Sequence, residues 1–475
     1  MTRRPDVVVI GGGSAGSVFA ARISENPDLR VTLLESGRGF DADWPPELLD
    51  ASTLPIGPGS EWTDVIDVEL TPNRPSSIAR GRVLGGSGAV NGAYFVRARP
   101  EDFAPWPQSQ WSWPQVLAAY RRTETDMDFG GADHGSDGPM PVIRSASPTP
   151  ITESFETACV RNGFTHVPDL NSHTAGDGFG RVPSNVSEGK RINAALAYLV
   201  PARNRTNLEI RTETSVGRIL FDGTTVVGVE GRDANGPFVL ECDRVVLAAG
   251  AVRTPGLLMH SGIGPESELR ALGIEVLVDL PGVGRGVRDH PEVAVPYSLP
   301  HNSIGGTPLQ SVLHHDGLEL RPFSSSFDRM IAGLPVSDPS IGVALMNPTS
   351  RGDIVVPRDP YEPPRIRYRY LESADDRDAL AAGVELARSL LATMGFEPDA
   401  PAALTSRLGT SLHLCGSARM GDDDSAVVDE RCRVRGVDGL SVVDTSVFAS
   451  VPSRGPHASA LMVAERAAEL YRHRL

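Results

Sequence analysis

The sequence predicts an α/β protein organised around a parallel sheet, and three stretches predict it. A β-branched run, Val7 to Ile10, leads into glycines and a helical segment. A second apolar run, Val245 to Gly250, leads into another turn and helix. A third, Leu440 to Val443, delivers an acid, Asp444, at its carboxyl end. Strands alternating with helical segments read as parallel β–α units. The three lie far apart, so pieces of one sheet are spread along the chain and its domains interleave.

Composition narrows the class. The 475 residues allow two to four domains, at roughly 100–200 residues each, or one large interleaved unit. Hydrophobic residues at 40 % and charged residues at 22 % exclude wholesale disorder, and a chain this long buries a core without disulfides or metals. Basic residues number 45 against 60 acidic, leaving a net charge of −15. That balance repels phosphate backbones and anionic membranes, so nucleic acid is not an expected partner. Lys190 is the only lysine, which reads as coding bias toward arginine. Cys159, Cys242, Cys415 and Cys432 form no CxxC pair, so neither a disulfide framework nor a thiolate metal site is expected. The amino end lacks a signal-peptide pattern, and no run of about 18 apolar residues occurs. The expected setting is the cytoplasm, at most peripheral to a membrane.

The amino-terminal unit is the most specific. Asp6 to Ile10 reads as a buried parallel strand. Gly11, Gly13 and Gly16 then occupy the glycine positions of GxGxxG, a helix is expected from Ser17 to about Glu25, and Val31 to Leu34 forms a second strand ending in Glu35. Gly11 makes the tight turn, Gly13 lets backbone approach a pyrophosphate, and Gly16 lets helix and strand pack closely. The helix amino end offers free N–H groups and about half a positive charge to a diphosphate. Glu35 suits the two hydroxyls of an adenosine ribose and would repel a 2′-phosphate, so NADP fits poorly. FAD and NAD both remain open on this segment.

Two further stretches carry a family resemblance. Gly81 to Phe95 (GRVLGGSGAVNGAYF) resembles the first signature of the GMC (glucose–methanol–choline) oxidoreductases, and Gly250 to Gly264 (GAVRTPGLLMHSGIG) resembles the second. A carboxyl-terminal histidine pair completes the family's order over nearly the whole chain. By itself, Gly85 to Gly88 is a loop with little side chain, open to a flat or anionic ligand. Asn91 either lies beside a flavin edge, as the resemblance implies, or stabilises an Asx-type turn. In the second stretch Thr254 reads as an N-cap with Pro255 at the first helical position, and Gly262 as a C-cap.

The resemblance implies a Rossmann-like FAD-binding domain (1–40, 75–100, 190–290 and 410–475) interleaved with an antiparallel-sheet substrate domain (101–189 and 291–409). It extends the FAD contacts to Gly11, Gly13, Ser14, Ala15, Gly16, Glu35, Arg82, Gly86, Ser87, Asn91, Gly92, Val216, Ala249, Gly250, Asp444, His457 and Ala458. Val90 occupies the place where covalently flavinylated relatives can carry a histidine, so non-covalent FAD is expected. His413 and His457 match the family's active-site pair. The implied chemistry is oxidation of a small-molecule alcohol: His413 accepts the hydroxyl proton as hydride leaves for flavin N5. His457 stabilises the developing alkoxide, help often worth ~3 kcal/mol. The reverse assignment of the two histidines stays open.

The remaining stretches yield less. Runs at 341–346, 353–356 and 366–370 suit the strands of the substrate sheet. Ala374 to Met394 reads as an amphipathic helix with Leu380, Val384, Ala387 and Leu391 on one stripe. Trp106, Trp111 and Trp113 read as a packing cluster, with an aromatic entry wall as the alternative. Phe129 to Gly138 lacks a calcium-loop register and reads as a flexible loop without metal. His301 to Ser326 shows no periodicity and reads as a mobile lid or entrance. Cys415 reads as packing and Arg419 as a loop anchor. The compact length and the run Val83 to Arg97 resemble mycofactocin-associated members, which implies a dehydrogenase passing electrons to a redox carrier or quinone chain. Alternatives are an oxidase using oxygen and making hydrogen peroxide, a lyase of the hydroxynitrile type, and a non-catalytic flavin scaffold.

Overall fold

A computed structural model describes residues 4–41, 43–298, 305–398, 400 and 402–472. Its first sheet has five parallel strands in the order 208–211, 31–34, 7–10, 244–247 and 440–442. Every residue of Val7–Ile10 and Val31–Leu34 is buried, as a strand covered on both faces requires. Helix Ser14–Ile23 follows the glycines and packs against the carboxyl-terminal helix His457–Arg472. It starts three residues before the expected Ser17, because Ser14, Ala15 and Gly16 already form its first turn.

A six-stranded antiparallel sheet stands beside it, in the order 408–410, 291–296, 340–345, 318–322, 311–315 and 178–181. Helix Ala374–Met394 backs this sheet and buries Leu380, Ala387 and Leu391 as the periodicity predicts, with Val384 half-buried. The Ser373 hydroxyl accepts from Asp375 N–H to start that helix, and Gly395 ends it in the left-handed region at φ 85°. Strands 352–355 and 365–367 do not join this sheet, contrary to expectation. They belong to a third, mixed sheet with 285–287 and the hairpin 63–81, where 365–367 runs parallel to 63–71. Short β-rich runs carry no information about which partner they pair with.

The expected lid at 301–326 is also corrected in part. Residues 301–304 lie outside the described residues, but 311–315 and 318–322 form a buried hairpin in the six-stranded sheet. Thr254 is not a cap either. The helix begins at Gly250, and Pro255 sits inside it. Pro255 cannot donate to the Ala251 carbonyl; the Ser417 hydroxyl donates to that oxygen instead, at 2.6 Å. Trp106 and Trp111 are buried packing residues, and the Trp111 indole N–H donates to the Glu430 carbonyl at 2.8 Å. Arg419 pairs with Asp423 and anchors its loop.

The Phe129–Gly138 stretch encloses a buried ionic cluster. The His134 imidazole lies 3.0 Å from Asp126 through Nδ1 and 2.8 Å from Asp169 through Nε2. Arg144 pairs with Asp126 and Asp169, and Arg97 with Glu124. Burial opposes charge on His134, but Asp126, Asp169 and Glu124 outweigh it and raise its pKa to about 11. With His134 protonated, three carboxylates face three cations.

Candidate active site

A cavity of about 630 Å³ has Glu35 and Val216 in its wall together with His413 and His457. All the cofactor residues named from sequence line it except Gly16 and Ala458. Gly16 lies behind the wall, where a Cβ would strike the Gly11 carbonyl oxygen; its use is helix–strand contact. Ala458 is fully buried in its helix.

The glycine loops form a cradle. Gly11 has φ 102°, and a Cβ there would meet the Ala248 carbonyl oxygen at 2.5 Å. Gly86 has φ 57°, and a Cβ there would reach within 2.7 Å of the Gly13 Cα. Gly13, as N-cap, offers no side-chain oxygen to the first turn of helix Ser14–Ile23, which leaves its N–H groups for an anion. The Glu35 carboxylate accepts from Gly12 N–H and Gly37 N–H, each at 2.7 Å. Burial pushes its pKa up while those amides pull it back. The Asn91 side chain accepts from Ala93 N–H at 2.9 Å, so the turn role is present along with its place in the wall. Asp444 accepts from Gly250 N–H at 2.9 Å, from the Thr254 hydroxyl at 2.7 Å and from Ser446 N–H at 2.7 Å. This carboxylate caps the 250–260 helix at Gly250 from 194 residues away, which is why that helix starts before Thr254.

At the other end the chain holds three imidazoles. Leu412, at φ 63°, is a non-glycine in the left-handed region immediately before His413. The backbone N–H groups of His413 and His290 both donate to one oxygen of Asp289, each at 2.7 Å. Their rings stand at 86°, with Nδ1 to Nδ1 at 2.8 Å. Burial, reinforced by the positive Arg321, lowers the His290 pKa to about 3. Burial, then His290 and Arg321, hold His413 well below the usual histidine value. His457 opens the carboxyl-terminal helix with Nδ1 3.3 Å from the Ser14 hydroxyl; its Nε2 is buried without a hydrogen-bond partner. Burial lowers its pKa to about 4. Cys415 is buried, its thiol donates to the His413 carbonyl, and burial raises its pKa, consistent with packing.

Sequence reasoning missed His290 and the charged floor formed by Glu292 and Arg321, with Glu319 buried behind them. His290 and His413 are 123 residues apart, so no local spacing could reveal their contact.

Residues 5–292 and 348–464 match the family models described as GMC oxidoreductase. The chain belongs to the GMC oxidoreductase family. An uncharacterized GMC-type oxidoreductase in the thcA 5′ region of Rhodococcus erythropolis is 46 % identical over 483 residues, covering 98 % of each chain. The oxygen-dependent choline dehydrogenase of Staphylococcus xylosus is 33 % identical over 98 % of this chain and 94 % of its own. Pyridoxine 4-oxidase from Mesorbium loti superposes with a TM-score of 0.90 at 28 % identity, over 99 % of each chain. A formate oxidase of Aspergillus oryzae RIB40 shares the fold, with a TM-score of 0.90 at 22 % identity, covering 100 % of this chain and 99 % of that one. This GMC protein is therefore an FAD-dependent oxidoreductase acting on alcohol-type donors. The glycine cradle, the free helix amides and the orphaned His457 Nε2 suit that cofactor. Among the described residues, no helix is long and apolar enough to cross a membrane.

Proposed function

We propose that this GMC enzyme oxidises an alcohol to a carbonyl, with His413 as proton acceptor and His457 as hydrogen-bond donor to the same alcohol oxygen. Bound FAD supplies the acceptor for hydride leaving the carbinol carbon. The observation that carries the reading is the partnering of each ring. If His413 Nδ1–H donates to His290 Nδ1, then His413 Nε2 carries a lone pair and can take the hydroxyl proton. If the Ser14 hydroxyl donates to His457 Nδ1, then His457 Nε2 carries the hydrogen and can meet the developing alkoxide. His290 neutrality matters here, because a protonated His290 would donate from Nδ1 and force His413 into the wrong tautomer. Burial and Arg321 favour the neutral form. The positive end of the His457–Arg472 helix favours negative charge at the same place.

His413→Ala is expected to slow alcohol-driven flavin reduction by roughly 10²–10⁴-fold while FAD stays bound. Anaerobic stopped-flow reads this directly, and reduction at the parental rate refutes the assignment. Val90, where a covalent histidine would stand, supports non-covalent FAD: acid precipitation should release the yellow chromophore. The resemblance to mycofactocin-associated members supports a cytoplasmic dehydrogenase whose electrons leave to a redox carrier. Air admitted to the reduced enzyme then leaves it bleached while an artificial dye restores its colour; rapid recolouring in air would make it an oxidase.

A further inference from the structure

We infer that the alcohol end of the cavity is built for a neutral alcohol on an apolar chain or ring, and against a quaternary ammonium alcohol. The inference rests on the alcohol-oxidising reading above, and its binding arm below is independent of turnover. One side of the cavity is apolar. Leu54, Ile56, Leu309, Phe323, Phe327 and Ile331 line it and pack together as a small hydrophobic cluster that Ile56 joins to the main core. Phe323 and Phe327 lie 4.7 Å apart between ring centroids at 57°, so each ring spends part of its surface on the other. An aromatic cage for a cation needs several ring faces turned to one point; here two rings stand among four aliphatic side chains, and a third ring in the wall, Tyr94, has its hydroxyl tied to Glu319.

The other side is charged, and most of that charge is paired within the chain. The Glu292 carboxylate accepts from Arg321 Nη1 at 2.6 Å and from the Ser411 hydroxyl at 2.8 Å through Oε2. Its Oε1 is turned to the neighbouring strand, where a Cβ added to Gly342 would strike it. Arg321 Nε donates to Glu319 Oε1 at 2.6 Å; the Tyr94 hydroxyl and His314 Nε2 meet Glu319 Oε2 at 2.6 and 2.7 Å. Burial opposes charge on Glu319, but Arg321 and His314 outweigh it and hold its carboxyl well below the usual range. A cation leaving water for this pocket would meet the Arg321 guanidinium beside Glu292, the one carboxylate of the two in the wall, whose Oε2 is already engaged. An apolar body would meet a wall that loses water on binding.

The test uses the FAD-loaded enzyme. 2-Phenylpropan-2-ol has no hydrogen on its carbinol carbon, so it binds without being oxidised, and its binding is read from the flavin absorption spectrum. It should bind at least about tenfold tighter than tetramethylammonium. Phe327→Ala should weaken it about threefold or more, and Phe327→Leu should restore most of that. Equal or tighter tetramethylammonium binding overturns the inference, as does aryl binding indifferent to Phe327. In the second arm benzyl alcohol should reduce the flavin anaerobically at least about tenfold faster than choline. Faster reduction by choline overturns the substrate class and leaves the hydride chemistry intact. Preferential aryl binding with no reduction by either alcohol leaves the class standing and refutes the catalytic reading.

Discussion

His134 and the three active-site histidines are all withdrawn from bulk water, yet their surroundings drive them to opposite charge. His134 is ringed by Glu124, Asp126 and Asp169 and is held as a cation. Among the described residues, the rings of His290, His413 and His457 meet no carboxylate at hydrogen-bond distance; two feel Arg321, and all stay neutral. Burial has the same sign in both regions, so partner chemistry decides which histidine is a buried cation and which stays neutral. The ionic cluster is closed, each ring nitrogen facing acids. His413 and His457, which line the cavity, are half closed, each with only one ring nitrogen held by the chain; His290 is buried behind them.

The largest break of this contrast is His134→Ala. It leaves buried carboxylates against too few cations and should cost about 3–5 kcal/mol of stability. Thermal or denaturant unfolding checks this, while alcohol-driven flavin reduction by the folded fraction should stay near parental.

A pH titration separates the two regions without mutation. The folded pKa of His134 is raised above the unfolded value near 6.5. Its contribution is complete below that value and lost as pH rises toward 11. His290 and His457 are depressed to about 3 and 4, so their contribution is complete above about 6.5 and lost as pH falls toward those values. Hydrogen exchange should show residues 124–144 losing protection first in alkali, and residues 289, 290 and 413 first in acid. The same loss order at both extremes would erase the distinction.

Smaller effects sharpen the active-site half. His290→Phe keeps a ring but removes the acceptor for His413, and should slow flavin reduction about tenfold to a hundredfold with a displaced pH profile. His290→Gln, whose amide oxygen can accept, should recover part of both; equal rates for all three would leave His290 with packing alone. Ser14→Ala should lose about 1 kcal/mol, roughly fivefold in rate, with FAD retained. Anaerobic single-turnover kinetics resolve these steps.

Legibility followed chain distance. The strand, glycines, helix and Glu35 lie within one short unit, so local spacing displayed both fold and ligand geometry. The buried hairpin 311–322 was hidden because His314, Glu319 and Arg321 are inside, which erases the alternation that marks a strand. Thr254 and Pro255 look like a helix start in isolation, but Asp444 moves that start to Gly250. The His290–His413 contact depends on the pairing of 291–293 with 408–410, far apart in sequence, and the pairing of Glu292 with Arg321 reaches across the strand 340–345 that lies between theirs.

The two rings meant to flank the alcohol oxygen have different mountings. His413 follows strand 408–410, which pairs with 291–293 beside His290, whereas His457 begins the helix packed against Ser14–Ile23. The proposed base and its orienting ring therefore travel together on one sheet, and the proposed donor travels with the parallel-sheet body. A slight slide along the seam between these bodies would change the gap between the two Nε2 atoms and leave every bond within each body intact. Substitutions at that seam can retune turnover from a distance, acting on alignment alone.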